Sequence, residues 1–283
     1  MVSYQKRPEN CFLENKNLVL KATLRSNPED PILDLTDGCT SQNCSADAIA
    51  TIPAPIIAGR VKSKFRFKYG KIEILAQLPR GDWIFPELYL QPPSDTYGPH
   101  YASGRMWVAY ARGNLDLVNE NNEQIGNSVL YGGPVLGIKE PVRTQAAIKV
   151  VGQQPWGAEY HTYTLTWTPD QMDFQVDGEN MGTVRPLAGA FASIQTNEGY
   201  SYASEWKTKM APFDQEFSII LGIGVGGLPD FPNNSRSRGM SKPWKNFAIK
   251  RNRQFFNQKA QWGPNWKGDN SALKIEYVRV WAL

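Results

Sequence analysis

Read only for the spacing of its apolar and polar positions, the chain is a succession of short strands. Phe65, Phe67 and Tyr69, then Ile72 and Ile74, alternate with polar neighbours at period two, the mark of strands with one buried face. This segment predicts two half-buried antiparallel strands around Gly70. Residues 17–22 alternate well enough for another. Residues 106–111 read Met-Trp-Val-Ala-Tyr-Ala, bounded by Gly104 and by Gly113-Asn114, and predict a buried strand. Met172–Val176 leads into Asp177-Gly178, a strong turn dipeptide that predicts a hairpin with the strand that follows. Hairpin signals fill 115–151. Residues 27–55 are a long polar excursion. The pattern is that of an all-β protein.

Composition adds a few bounds. With 283 residues, 41% of them hydrophobic, the chain can bury one large core. All-β sandwiches of roughly 200–250 residues commonly form one domain, so a single domain over 1–283 is expected. The 24 glycines and 20 prolines are spread along the sequence, which suits many strands joined by turns. A net charge of +4 gives no nucleic-acid signal by itself. No apolar run approaches the ~18 residues of a membrane span. Residues 2–10 are polar and basic, unlike a secretory leader, so the chain is expected to be truncated at its N-terminus.

Candidate chemistry is sparse. His100 and His161 are the only histidines, and no Cys/His/carboxylate cluster has zinc-like spacing; no metal site or cofactor is expected. Gly222, Gly224 and Gly227 satisfy Gly-x-Gly-x-x-Gly, but Leu228-Pro229-Asp230-Phe231-Pro232 forbids the helix a dinucleotide fingerprint needs. Sheet curvature or a bulge is the expected role of these glycines. Cys39 and Cys44 enclose a short polar loop and are expected to form a disulfide, leaving Cys11 over. Asn43 and Asn233 each open an N-glycosylation sequon in loop-like sequence. Together these features favour a secreted, extracellular protein. Residues 236–253 hold seven basic side chains and no acidic one. They read as a solvated basic loop, with an anionic partner as the less favoured alternative.

Residues 101–114 resemble the active-site strand of glycoside hydrolase family 16 in its invertebrate β-1,3-glucanase branch, where the motif runs Ser-Gly-Glu-Ile-Asp-Ile-Met-Glu-Ser-Arg-Gly-Asn. Ser103, Gly104, Arg112, Gly113 and Asn114 keep the frame. Arg105 stands at the nucleophile's place, Trp107 at the helper Asp's, and Tyr110 at the acid/base Glu's. Further ordered matches cover nearly all of the chain. Residues 65–74 resemble Phe-Ser-Phe-Lys-Tyr-Gly-Arg-Val-Glu-Val. Residues 78–90 resemble Leu-Pro-Lys-Gly-Asp-Trp-Leu-Trp-Pro-Ala-Ile-Trp, with Phe85 and Tyr89 for two Trp and Glu87 for the Ala. Residues 161–170, 213–227 and 272–281 match in turn. Tyr131 and Gly132 depart from the His-Trp-Gly-Pro that the enzymes carry near there, a second change expected in the cleft. The resemblance implies a β-jelly-roll sandwich of two antiparallel sheets with an open glycan cleft. It also implies a bulge late in the 105–111 strand that turns Arg105, Trp107 and Tyr110 into the cleft together.

Retaining glycoside hydrolysis needs two carboxyl groups about 5–5.5 Å apart. Arg105 stays protonated, Trp107 offers only an N–H donor, and Tyr110, with an ordinary pKa near about 10, is a poor acid. An active β-1,3-glucanase would need carboxylates at 105 and 110, so no catalysis is expected. Glu87 is read as a surface or ion-paired residue rather than a relocated acid. The chain resembles the glucanase-like domain of the β-1,3-glucan recognition, or Gram-negative bacteria-binding, family. That likeness implies a secreted innate-immune factor binding microbial β-1,3-glucan, or lipopolysaccharide, and promoting a serine-protease cascade. The rival is a scaffold that binds no glycan, recognition falling to a separate N-terminal module expected to be absent from this sequence. The candidate sugar-binding residues are Trp83, Arg105, Trp107, Tyr110, Trp156 and Trp244, because flat rings pack on pyranose faces and guanidinium donates to hydroxyls. For the loop tryptophans local packing is the alternative, while Trp167 and Trp281 are expected in the core.

Overall fold

The computed structural model describes residues 1–25, 54–99, 101–186, 191, 208–266 and 268–283, with the backbone of 32–34 and 45–47. Two antiparallel sheets pack face to face as a β-jelly-roll sandwich. One sheet has the order β17 (Glu179–Val184), β16 (Met172–Val176), β15 (His161–Trp167), β9 (Gly70–Gln77), β21 (Leu273–Trp281), β3 (Asn17–Leu20), β2 (Cys11–Glu14). The other has the order β14 (Ile148–Val151), β13 (Val129–Val135), β11 (Arg105–Ala111), β10 (Ile84–Gln91), β18 (Phe217–Val225), β8 (Arg60–Phe67). Smaller ladders join β1 (Val2–Tyr4), β7 (Ile56–Ala58) and β4 (Ala22–Leu24), then β12 (Leu117–Val118), β19 (Arg236–Ser237) and β20 (Met240–Ser241). A last pair is β5 (Ile32–Asp34) with β6 (Ser45–Asp47). Cys39, Cys44 and Asn43 lie outside the described residues, and with them the expected disulfide and one sequon.

Alternation decides what is buried. Ile72 and Ile74 of β9, Leu165 and Trp167 of β15, and Met172 and Phe174 of β16 turn inward. They share one core with Leu88 and Leu90 of β10, Met106 and Val108 of β11, and Leu130 of β13. Trp167 closes one end of it, edge-on to Tyr69 at 5.0 Å and to Phe217 at 5.3 Å. The expected hairpin at Asp177-Gly178 is present, with φ of 52° and 85° at those residues and β16 paired to β17. The six-stranded sheet of β10, β11, β13 and β18 has a second apolar layer on its far face, where Tyr89, Trp107, Tyr110, Tyr131 and Ile220 cluster.

Three expectations are corrected. The strands around Gly70 exist but do not pair with one another: β8 pairs with β18 at the edge of one sheet, and β9 lies between β15 and β21 in the other. The turn crosses between sheets, and a Cβ at Gly70 would sit 2.7 Å from the Trp281 carbonyl. Period two specifies a strand and its faces, not its partner. Trp281 is 41% exposed rather than in the core. A register shift between Ile275 and Tyr277 reverses the parity of β21, so Val278 and Val280 turn inward and Trp281 turns out, under the Lys71 ammonium at 4.9 Å. Gly132 belongs to the core face and not to the cleft, since a Cβ there would meet the Phe174 ring at 2.5 Å.

Gly132→Ala is therefore expected to overpack the core and cost about 1–3 kcal/mol in urea unfolding. Gly263→Ala, where the new Cβ meets nothing within 4 Å, should stay within about 0.5 kcal/mol. Equal effects from the two would refute the packing argument.

Candidate functional site: a filled cleft

A bulge in β11 sets the geometry. Trp107 pairs with Gly133 and Tyr110 with Tyr131, with the register shifting between them, while on the other edge Tyr89 opposes Trp107 and Leu88 opposes Ala109. The extra residue turns both Trp107 and Tyr110 away from the sandwich core, into which Met106, Val108, Ala109 and Ala111 point. Arg105, Trp107 and Tyr110 thus line one cavity, shared with Glu87, Arg143 and Asp230.

That cavity is filled. Trp107 and Tyr110 stack with ring centroids 4.6 Å apart and planes at 12°, and they are only 3% and 2% exposed. Tyr131 tilts against them at 5.9 and 6.2 Å. Arg143, also buried, places its guanidinium 5.0 Å from the Trp107 ring and pairs with Asp230 at 2.7 Å. Asp230 further accepts the Tyr110 hydroxyl at 3.1 Å, and its main-chain carbonyl accepts from Arg112 Nε. Half-buried Arg105 lies over the Tyr89 ring at 4.1 Å and donates to the Tyr101 hydroxyl at 3.1 Å. The space left is about 60 Å³, where small-molecule pockets run to roughly 300–1,000 Å³. It has room for a water or two, not for a pyranose.

The electrostatics agree with the packing. Burial above all, with the Asp230 carboxylate beside it, pushes the Tyr110 hydroxyl well above the usual phenol range, although Arg112 and Arg143 oppose this. Burial and then the Glu87 charge push Tyr89 up to about 12. Glu87 is ion-paired as expected but buried rather than at the surface: Arg60 grips both of its oxygens, Nε at 2.7 Å. The Arg60 guanidinium in turn lies 3.7 Å from the Tyr4 ring centroid. Gly222 and Gly224 of β18 exist to admit these side chains. A Cβ at Gly222 would lie 2.5 Å from Glu87 Oε2, and one at Gly224 would lie 2.2 Å from the Phe85 ring.

The loop tryptophans are corrected in part. Trp83 and Trp244 are each 3% exposed, packed edge-on to one another at 5.2 Å and to Phe231 at 5.3 and 5.9 Å. Their Gly/Pro-flanked segments form a packed second layer, so neither ring offers a face to a sugar. Trp83 holds a left-handed backbone, φ 66°, with its N–H bound by Asn114 Oδ1 at 2.9 Å. Trp156 is half-buried away from the cavity, its Nε1 donating to the Ser128 carbonyl at 3.2 Å and its ring edge-on to His161. Asn233 is exposed, and its Oδ1 accepts from Asn246 N at 3.0 Å and from Lys242 Nζ at 3.2 Å. Among the described residues no group of three or more His, Cys, Asp or Glu side chains could hold a metal ion.

Sequence reasoning missed Asp230 and Arg143, which come from irregular segments without periodicity. It also missed Asp82. That buried carboxylate accepts from Asn114 Nδ2 (3.1 Å), Ser237 Oγ (3.0 Å), Arg238 (2.6 Å) and Asn265 Nδ2 (3.1 Å), tying the end of β11 to the C-terminal helical region.

Asp230→Ala leaves the Arg143 charge buried and unpaired, and should cost about 3–5 kcal/mol in denaturant unfolding. Combining it with Arg143→Met should recover much of that loss; a single-variant cost under about 1 kcal/mol would remove the pair from its central place. Near Trp244, burial pushes the Lys242 ammonium down to about 7, although the Phe231 carbonyl, Asn233 and Asn246 accept from it. Between that value and the ordinary lysine range near about 10.4, the unfolded chain holds the extra proton, so this site's stability contribution rises with pH and its penalty is complete below 7. The slope over that window should flatten in Lys242→Met, read from unfolding midpoints against pH.

Comparisons with known proteins bear on the family and the fold. The family described as Glycosyl hydrolases family 16 matches residues 138–217. Beta-1,3-glucan-binding protein 1 of Manduca sexta is 38% identical over 295 residues, 99% of this chain and 58% of the relative. Gram-negative bacteria-binding protein 1 of Drosophila melanogaster is 38% identical over 264 residues, 88% of this chain and 51% of the relative. The chain thus spans a little over half the length of these relatives. Among solved structures, the laminarinase from Rhodothermus marinus aligns with a TM-score of 0.59 at 19% identity, covering 99% of this chain and 84% of that one, which establishes the fold alone. The chain therefore carries a domain of the glycoside hydrolase family 16 type and is homologous to the insect β-1,3-glucan-binding and Gram-negative bacteria-binding proteins.

Proposed function

We propose that this domain is a non-catalytic recognition module of a secreted innate-immune protein that binds β-1,3-glucan or another microbial surface glycan and promotes a serine-protease cascade. The observation that carries the non-catalytic part is the stacked Trp107–Tyr110 pair on the cleft floor. A retaining enzyme needs two free carboxyl groups about 5–5.5 Å apart, facing a sugar. The two carboxylates that do line the cavity, Glu87 and Asp230, are each engaged by a guanidinium. The recognition part is supported by the glucan-binding and bacteria-binding relatives. With the floor closed, glycan contacts in this domain fall to the half-buried rim, where Arg105, Tyr101 and Phe85 offer a cation and two rings.

The test combines turnover and binding with laminarin. No reducing sugar above a blank is expected from the purified protein, and any sustained release would defeat the non-catalytic reading. Titration followed by Trp fluorescence should show binding that Arg105→Ala weakens at least about tenfold, the loss of a charged hydrogen-bond donor, in protein that circular dichroism shows to be folded. Trp107→Ala should instead destabilise the fold by about 3–5 kcal/mol, as a core residue does. If the parent does not bind laminarin, the scaffold reading replaces glycan recognition for this domain.

A further inference from the structure

The acid-free basic segment 236–253 carries a feature that the cleft does not use. Phe247 and Ile249 are 79% and 86% exposed, two residues apart on one loop. This is not a slack excursion. Its root is Asn246, buried, whose Nδ2 donates to the Leu228 and Phe231 carbonyls at 3.2 Å each and whose Oδ1 accepts from Lys242 Nζ at 2.6 Å and Trp244 Nε1 at 3.1 Å. Successive turns, Ala248 N to Lys245 O at 3.1 Å and Arg251 N to Ala248 O at 3.2 Å, carry it into the helix Arg251–Asn257. A well-braced loop therefore holds two large apolar side chains out in water.

The charges around that tip share one sign. Lys245, Lys250, Arg251 and Arg253 are all exposed, and none forms an ion pair among the described residues. Beside the tip, between loop and helix, lies a cavity of about 320 Å³ lined by Lys242, Lys245, Gln254, Asn257 and Gln258. The Lys245 ammonium and the side-chain amides of Gln254, Asn257 and Gln258 suit a phosphodiester, Lys242 being turned inward onto Phe231, Asn233 and Asn246. A neutral glucan would meet neither the cations nor the apolar tip. A bilayer with anionic headgroups meets all three: an apolar tip enters the acyl boundary, cations lie in the negative surface potential, and a polar cavity takes a headgroup.

We propose that residues 243–253 dock this protein onto a bilayer containing anionic phospholipid, with Phe247 and Ile249 inserted and Lys245, Lys250, Arg251 and Arg253 at the headgroup level. This surface is separate from the cleft, so it stands or falls independently of glycan binding.

The experiment is co-sedimentation of the whole chain with phosphatidylcholine vesicles, with and without phosphatidylglycerol. Binding is expected only with phosphatidylglycerol, and should be lost near 1 M salt, where the screening length falls to about 3 Å. Phe247→Ser with Ile249→Ser should weaken it at least about tenfold. Lys245→Gln, Lys250→Gln and Arg253→Gln should each weaken it about fivefold. All five side chains are exposed, so circular dichroism and thermal unfolding should match the parent. Absence of binding to the anionic vesicles, equal binding to phosphatidylcholine alone, or binding that both sets of variants retain overturns the proposal. So does self-association of the parent, seen by ultracentrifugation and abolished by the Phe247/Ile249 pair, without vesicle binding; the tip then meets a second copy.

Discussion

The Arg143–Asp230 ion pair is the constraint around which the cleft is organised. Two charges withdrawn from water at 2.7 Å gain little net stability over a well-packed apolar pair, but each makes the other's removal costly. The pair also fixes its surroundings. Asp230 orients Tyr110 through the hydroxyl and Arg112 through its carbonyl, while Arg143 lies against the face-to-face Trp107–Tyr110 stack. A segment before β14 and a segment after β18 are thereby clamped over the middle of β11. The ion pair and three rings consolidate that region as a second core.

How much of this could be read from the chain follows from what periodicity encodes. The inward face of β9 came from spacing alone, because a half-buried strand must alternate, while β16 came from its Asp-Gly turn and β15 through the family likeness. The bulge that brings Arg105, Trp107 and Tyr110 to one cavity came through the family likeness, and the pairing of β11 with β13 shows it. What spacing does not encode is partner and parity. β8 and β9 read as a pair yet lie in opposite sheets, and a single extra residue at 276 sent Trp281 outward. Trp83 and Trp244 misled for a related reason. Glycine and proline mark irregular backbone, but irregular backbone that forms a second packed layer buries its aromatics as fully as a sheet does.

The residues missed share one property: their meaning lies in a partner distant in sequence. Arg143 and Asp230 are 87 positions apart, and Asp82 reaches Ser237 and Asn265 across 155 and 183. No window of sequence shows such a pair. The residues that carried the family likeness show the converse. Ser103 donates to the Gly98 carbonyl at 2.8 Å and accepts from Tyr97 N at 3.0 Å. A Cβ at Gly104 would strike Phe213 at 2.6 Å, and one at Gly113 would strike the Gly81 carbonyl at 2.6 Å. Arg112 donates to the Asp230 and Ile125 carbonyls, and Asn114 donates to Asp82 and Ser237 and accepts from Trp83 N.

Each frame residue of the motif is therefore structural, and the three positions that differ from it face the cavity. A motif can therefore carry the fold through its frame while the positions facing the cavity are free to differ. The frame holds β11 in register and closes its ends against neighbouring loops, so changing it would cost the fold. Positions 105, 107 and 110 face away from the sandwich core, so a cation and two rings can stand there provided that they find partners outside it. Arg143, Asp230, Tyr131 and the glycines of β18 supply those partners. Filled in this way, the cavity ties the middle of β11 to the segments on either side of it and keeps only about 60 Å³ of open space.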